Sequence, residues 1–237
     1  MDQLKNIQPG LLVYGIAGVI YFISALSGYE YWVYVFKPIF ASSMIFHYCN
    51  ESKWNLNYWY ILFLFLYFFS GILNLFEDDK TLFYVILLNI SAYTILLSLL
   101  IKKVVDINFT NIDNINLLYI ILTLVFLSTL VYVCLGLVFS KGDSLYPYFV
   151  LYAIILTSLA VCSTILYTLK HSNAIVYLMV AIFCYLICDL FYIVYYYYYN
   201  LFFFRLLSIL SSILSYYFVV NYFLKSSESP IYESNLK

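Results

Sequence analysis

Apolar residues in this chain fall into eight runs, each of about 20 residues and each closed by a short polar joint. The runs cover 11–28, 31–49, 57–76, 81–101, 115–140, 145–169, 174–197 and 201–224. An α-helix rises 1.5 Å per residue, so about 20 residues reach across the roughly 30 Å of a bilayer's hydrocarbon. The joints at 29–30, 50–56, 77–80, 102–114, 141–144, 170–173 and around Asn200 hold every charge between the two ends, three excepted. This pattern predicts an all-α fold, a polytopic membrane bundle of eight transmembrane helices. Residues 1–225 form one transmembrane domain and 226–237 a short solvated tail. The first run is read as a retained span. Its small residues Ser24, Ala25, Ser27 and Gly28 leave a cleaved leader as the alternative.

Lysine placement orients the bundle. Lys5, Lys53, Lys102, Lys103, Lys170, Lys225 and Lys237 fall on the N-terminal side of the predicted membrane, and only Lys80 and Lys141 on the other. By the positive-inside rule both termini are cytoplasmic. The acidic joints at Glu30, at 77–79 and at Asp143 then face outward. The sequons beginning at Asn50 and Asn108 face inward and should stay unglycosylated.

Composition agrees with the pattern. Hydrophobic residues make up 65% of the chain and charged residues 10%, with a mean hydropathy of +0.94. A soluble domain carries about 25% charged residues. A net charge of −1 argues against a nucleic-acid partner. The five cysteines, Cys49, Cys134, Cys162, Cys184 and Cys188, lie within or at the ends of apolar runs. Only Cys184 and Cys188 share a helical turn, and no second pair completes a metal-ligand spacing. They are read as small packing residues, and no metal or organic cofactor is expected. Gly15 and Gly18, like Ser208, Ser212 and Ser215, put small residues on one helical face for close packing. Tyr195–Tyr199 is read as an aromatic belt at the outer surface, and His47 as interfacial.

Lys37, Asp189 and Arg205 are the charges left inside the runs. An ionised side chain in hydrocarbon costs at least ~2.5 kcal/mol, so such residues pair, face a water cavity or carry a function. Counting helical rise from the nearer end places Lys37 roughly 9 Å, Asp189 roughly 12 Å and Arg205 roughly 6 Å below the outer surface. Asn74 and Asn89 lie at similar depth. In one reading a cation bonds Asp189 and the other snorkels outward. In the other, two cations facing one carboxylate leave a positive surplus that an anionic group, such as a lipid phosphate, neutralises.

With those charges placed on eight spans, the chain resembles the YhhN-like lysoplasmalogenase family. The resemblance is carried by Val35-Phe36-Lys37-Pro38 in the second span, Pro147 and Tyr152 in the sixth, and Ile187-Cys188-Asp189-Leu190 in the seventh. It implies a bacterial inner-membrane protein acting on a lysophospholipid, a hydrolase of the vinyl-ether bond of lysoplasmalogens. Asp189 would be the catalytic acid. Lys37 and Arg205 would hold the phosphate, with Asn74, Asn89 and Tyr93 completing the substrate site. The chain departs from the family pattern twice. Ser70-Gly71 stands where a Gly-Asp step is usual, and Ala92-Tyr93 where a His follows a small residue. The alternative is a catalytically silent relative that binds or transports a lipid or other amphiphile.

Overall fold

The computed structural model describes residues 8–76, 79–106, 113–138, 144–170 and 172–227. Among them there is no strand, and the chain forms eight α-helices. These are α1 (Pro9–Ser27), α2 (Glu30–Glu51), α3 (Tyr58–Leu73), α4 (Asp79–Val105), α5 (Asn114–Val138), α6 (Tyr146–Leu169), α7 (Asn173–Ile193) and α8 (Phe202–Ser227). A π-helical turn, Val194–Tyr198, extends α7. Lys5, Lys141, Lys237, the sequon at Asn108 and the tail beyond Ser227 lie outside the described residues.

Local signals set the helix ends. Pro9 opens α1, where a missing amide leaves no bond unmade, and Gly28 closes it in the left-handed region at φ 76°. The Asn57 side chain caps α3 by accepting from the Trp59 amide, and Ser172 caps α7 by accepting from Ile175. Pro38 lies inside α2, so the Tyr34 carbonyl lacks its usual amide donor one residue past Lys37.

Six of the helical segments are long and apolar enough to cross a membrane: Pro9–Ser27, Thr81–Val105, Asn114–Gly136, Tyr146–Leu169, Asn173–Tyr198 and Phe202–Ser227. The other two differ for separate reasons. α3 has 16 residues, about 24 Å of helix, because it stops at Leu73 instead of continuing to residue 76. α2 is long enough but contains Glu30, Lys37, His47 and Glu51.

Six helices close a ring. α2, α3, α4, α6, α7 and α8 each pack on the next, and α8 returns to α2. α1 packs outside on α2 and α8, while α5 sits outside on α6 and the π turn. Leu118, Leu122 and Phe126 of α5 are exposed, an apolar exterior suited to lipid. Gly18 approaches Ile213 of α8, consistent with close packing. Gly15 has open space beyond it, so it makes no such contact; the tight approach in α1 is Gly10 against His47. That approach also explains His47, which is buried beneath the first turn of α1 rather than interfacial.

Candidate functional site

At the end of the ring that carries Glu30 and Asn200, the six helices part around a cavity of about 140 Å³. Each helix sends in a polar side chain or its terminal residue. Lys37 comes from α2, Asn74 from the C-terminus of α3, Asn89 from α4, Tyr152 from α6, Asp189 from α7 and Arg205 from α8. Val33, Leu82, Phe149 and Ile209 supply apolar wall between them. The lining is therefore amphiphilic, with convergent polar groups set in a hydrocarbon-like surface.

Asp189 is the hub. Its Oδ2 accepts hydrogen bonds from the phenols of Tyr93, at 3.3 Å, and Tyr152. Tyr93 is fully buried and lies behind the carboxylate, outside the cavity lining. Its ring belongs to a cluster with Tyr67, Tyr152 and Tyr185, at centroid distances of 6.2, 5.6 and 5.2 Å. Two phenols donating to one oxygen fix the carboxyl group's rotation in the site. Beside Asp189, the Ser208 hydroxyl donates to the Cys188 carbonyl at 2.9 Å, tying α7 to α8 behind the site.

The two cations occupy different levels. Arg205 faces the Tyr195 ring, with Cζ 5.8 Å from its centroid. It also lines an outer space of about 490 Å³ bounded by Gly28, Glu30, Tyr195–Tyr199 and Asn200. Lys37 sits deeper, with Nζ 6.0 Å from the centroid of Tyr21. It lines both the main cavity and a smaller one of about 60 Å³, which extends to Ser70, Gly71 and Tyr216. Outer space, main cavity and inner cavity thus adjoin in series, with Arg205 lining the first two and Lys37 the last two.

Of the two departures noted in the sequence, one lines this series and the other backs it. Gly71 forms bare wall of the inner cavity; a methyl group placed there would lie 3.4 Å from the Tyr216 hydroxyl and 4.0 Å from Lys37 Cε. Tyr93 is the direct hydrogen-bond partner of Asp189.

The candidate residues Lys37, Asn74, Asn89, Asp189 and Arg205 therefore meet in one cavity, and Tyr93 reaches it through Asp189. Tyr152 is a direct partner of Asp189, which charge reasoning alone missed; its only signal was its place in the Pro147–Tyr152 motif. The π turn was missed too. It widens the end of α7 and, with the Tyr199 amide bonding the Val194 carbonyl at 2.8 Å, carries Tyr195–Tyr197 onto the cavity wall. Those tyrosines line the site as well as its rim. Among the described residues, no three His, Cys, Asp or Glu side chains gather as metal ligands, and the five cysteines are unpaired as disulfides. Comparison with protein-family models, with curated proteins and with solved structures finds no match.

Proposed function

We propose that the chain crosses the membrane eight times with both termini in the cytoplasm, and that its cavity opens toward the outer leaflet of a bacterial inner membrane. Lysine placement supports that orientation. α2 and α3 complete the count because both belong to the closed ring and are flanked by spanning helices.

In this reading the cavity takes the polar end of a lysophospholipid, and the reaction is that of a YhhN-like lysoplasmalogenase. Arg205 meets the phosphate at the mouth and Lys37 draws it inward. Asp189 delivers a proton to the vinyl-ether carbon, held in aim by Tyr93 and Tyr152. The hydrocarbon chain lies along the apolar wall. The single observation that carries this is convergence: the three intramembrane charges come from three helices and line one amphiphilic cavity.

A second reading has its own observation. Gly71 presents no carboxylate and Tyr93 no imidazole at the positions where the family resemblance expects an acid and a base. A chain so altered would bind an amphiphile and leave it intact.

Aldehyde release separates the two. Purified, folded protein incubated with lysoplasmenylcholine in detergent micelles should release fatty aldehyde, and Asp189→Asn should lower the rate by about 100-fold or more. Release unchanged by Asp189→Asn would reject the acid assignment. Absence of release from folded native protein that still binds the lipid would establish the silent reading.

A further inference from the structure

Asn89 Oδ1 lies out of reach of bulk solvent and has no hydrogen-bond partner among the described residues. An acceptor left that way keeps its full desolvation cost, so a native structure normally supplies a donor. Asn89 lines the inner cavity together with the polar side chains of Lys37, Asp189, Asn74, Ser70, Ser212 and Tyr216. Two hydroxyls on that wall already use their protons. Ser70 donates to the Val85 carbonyl and Tyr216 to the Tyr67 carbonyl, each at 3.3 Å. Both oxygens keep acceptor capacity and neither serves Asn89. A buried water needs roughly 10–15 Å³ and two to four polar partners. The inner cavity provides about 60 Å³ and both donors and acceptors on its wall, enough polar groups to hold a water.

We propose that this inner cavity holds an ordered water which donates to Asn89 Oδ1, and that this water is the nucleophile of the ether hydrolysis. The inference rests on the hydrolase reading above and assigns that reading its second reactant. Asn89 is then a positioning residue, acting on the substrate only through the water.

The steps balance. The π electrons of the vinyl ether form a C–H bond with the Asp189 proton, leaving a carboxylate and an oxocarbenium carbon. The water lone pair forms the new C–O bond, and the proton the water sheds returns to Asp189. The hemiacetal then breaks its bond to the glyceryl oxygen, its hydroxyl proton passing to that oxygen. Aldehyde and glycerophospho-alcohol leave with the net addition of one water. Asp189 lines both the main and the inner cavity, so one carboxyl group borders the space for the lipid and the space for the water.

The test uses the native full chain with lysoplasmenylcholine and methanol at a fixed mole fraction. Methanol capturing the oxocarbenium carbon leaves a stable methyl acetal, whereas water capture ends in aldehyde. The native protein should favour aldehyde beyond the bulk ratio of the two nucleophiles. Asn89→Leu, which removes the acceptor, should raise the acetal-to-aldehyde ratio by about tenfold. Asn89→Asp keeps an acceptor oxygen and should stay near the native ratio. A folded Asn89→Leu protein that still makes aldehyde at the native ratio overturns the proposal while leaving the hydrolase reading intact. An independent readout needs no turnover: a high-resolution experimental map of the native protein should show a water within hydrogen-bond distance of Asn89 Oδ1, and its absence overturns the proposal even if Asn89→Leu does not fold. No aldehyde from the native protein removes the hydrolase reading, and with it the nucleophile.

Discussion

At the end that carries Lys103 the six-helix ring is filled by aromatic side chains, whereas at the Glu30 end the same ring encloses a cavity of about 140 Å³. Tyr60 and Phe223 stack at 4.1 Å with their planes 9° apart, and Phe63 meets Phe223 edge-on at 5.6 Å. Tyr48, Phe63 and Phe223 have no exposed surface. Polar groups at that end serve each other: Lys103 donates to the Tyr222 and Ser226 hydroxyls, and its ammonium lies 5.0 Å from the Tyr222 ring centroid. Both ends are rich in tyrosine, so residue type does not separate them. The difference is what fills the axis. Rings that interlock leave no volume, while short Asn side chains, a Gly wall and cations held against rings do. The cavity therefore lies at one end of the ring and the packed rings at the other.

The largest effect that tests this contrast is on stability. Phe63→Ala removes a ring packed among Tyr67, Tyr185 and Phe223 and should destabilise the protein by about 3–5 kcal/mol. Truncating Ile209, which lines the cavity at the other end, should cost clearly less, since part of its surface already faces open volume. Reversible unfolding in mixed micelles, followed for both variants, measures the gap. Equal losses would show that the two ends are packed alike and that the cavity closes in solution.

Next in size is ligand affinity. Lys37→Met and Arg205→Met keep an unbranched apolar stem and remove charge. Each should weaken binding of a lysophospholipid by about tenfold, or about 1.4 kcal/mol, measured by displacement of a fluorescent analogue. Phe63-end residues should have no such effect when stability is preserved. If affinity survives both substitutions, the cations serve packing alone.

These contrasts also mark what a single chain reveals. The eight runs and the three charges inside them are legible because hydropathy and charge are local properties, readable within 20 or so residues. Ring order is not local. α5 is left outside while α4 packs directly on α6, and nothing in the apolarity of 115–140 distinguishes it from its neighbours. Rise per residue brought Asn74, Asn89 and Asp189 to one depth, but depth leaves their direction around the helix open. For the same reason the phenols of Tyr93 and Tyr152 escaped notice as joint partners of Asp189: among 29 tyrosines, only packing selects two. Backbone detail escaped as well. α3 ends at Leu73, and the π turn adds an offset that a uniform 3.6-residue period does not contain.

A smaller effect sharpens the account of the hub. Tyr152→Phe deletes one donor to Asp189 and leaves the ring. A single hydrogen bond to a carboxyl group is worth about 1.5–3 kcal/mol at most, so aldehyde release should fall by about tenfold with little change in lipid binding. Tyr93→Phe should do less, because its bond is longer, at 3.3 Å. A larger loss for Tyr93 than for Tyr152 would reverse the order of support inferred for Asp189.

The smallest change concerns the bare wall at Gly71. Added as Gly71→Ala, a methyl group would sit 3.4 Å from the Tyr216 hydroxyl and 4.0 Å from Lys37 Cε, both ordinary contact distances. Stability should hold or rise by up to about 1 kcal/mol, since Ala replaces Gly within the last turn of α3. The methyl takes its volume from the inner cavity of about 60 Å³ and leaves the main cavity's lining untouched. Lipid affinity should therefore stay at the native level while turnover falls by about two- to threefold, as the room for water beside Asp189 shrinks. Turnover and affinity falling together would mean that the lipid headgroup itself reaches the inner cavity. Neither falling would mean that the inner cavity has no part in the chemistry.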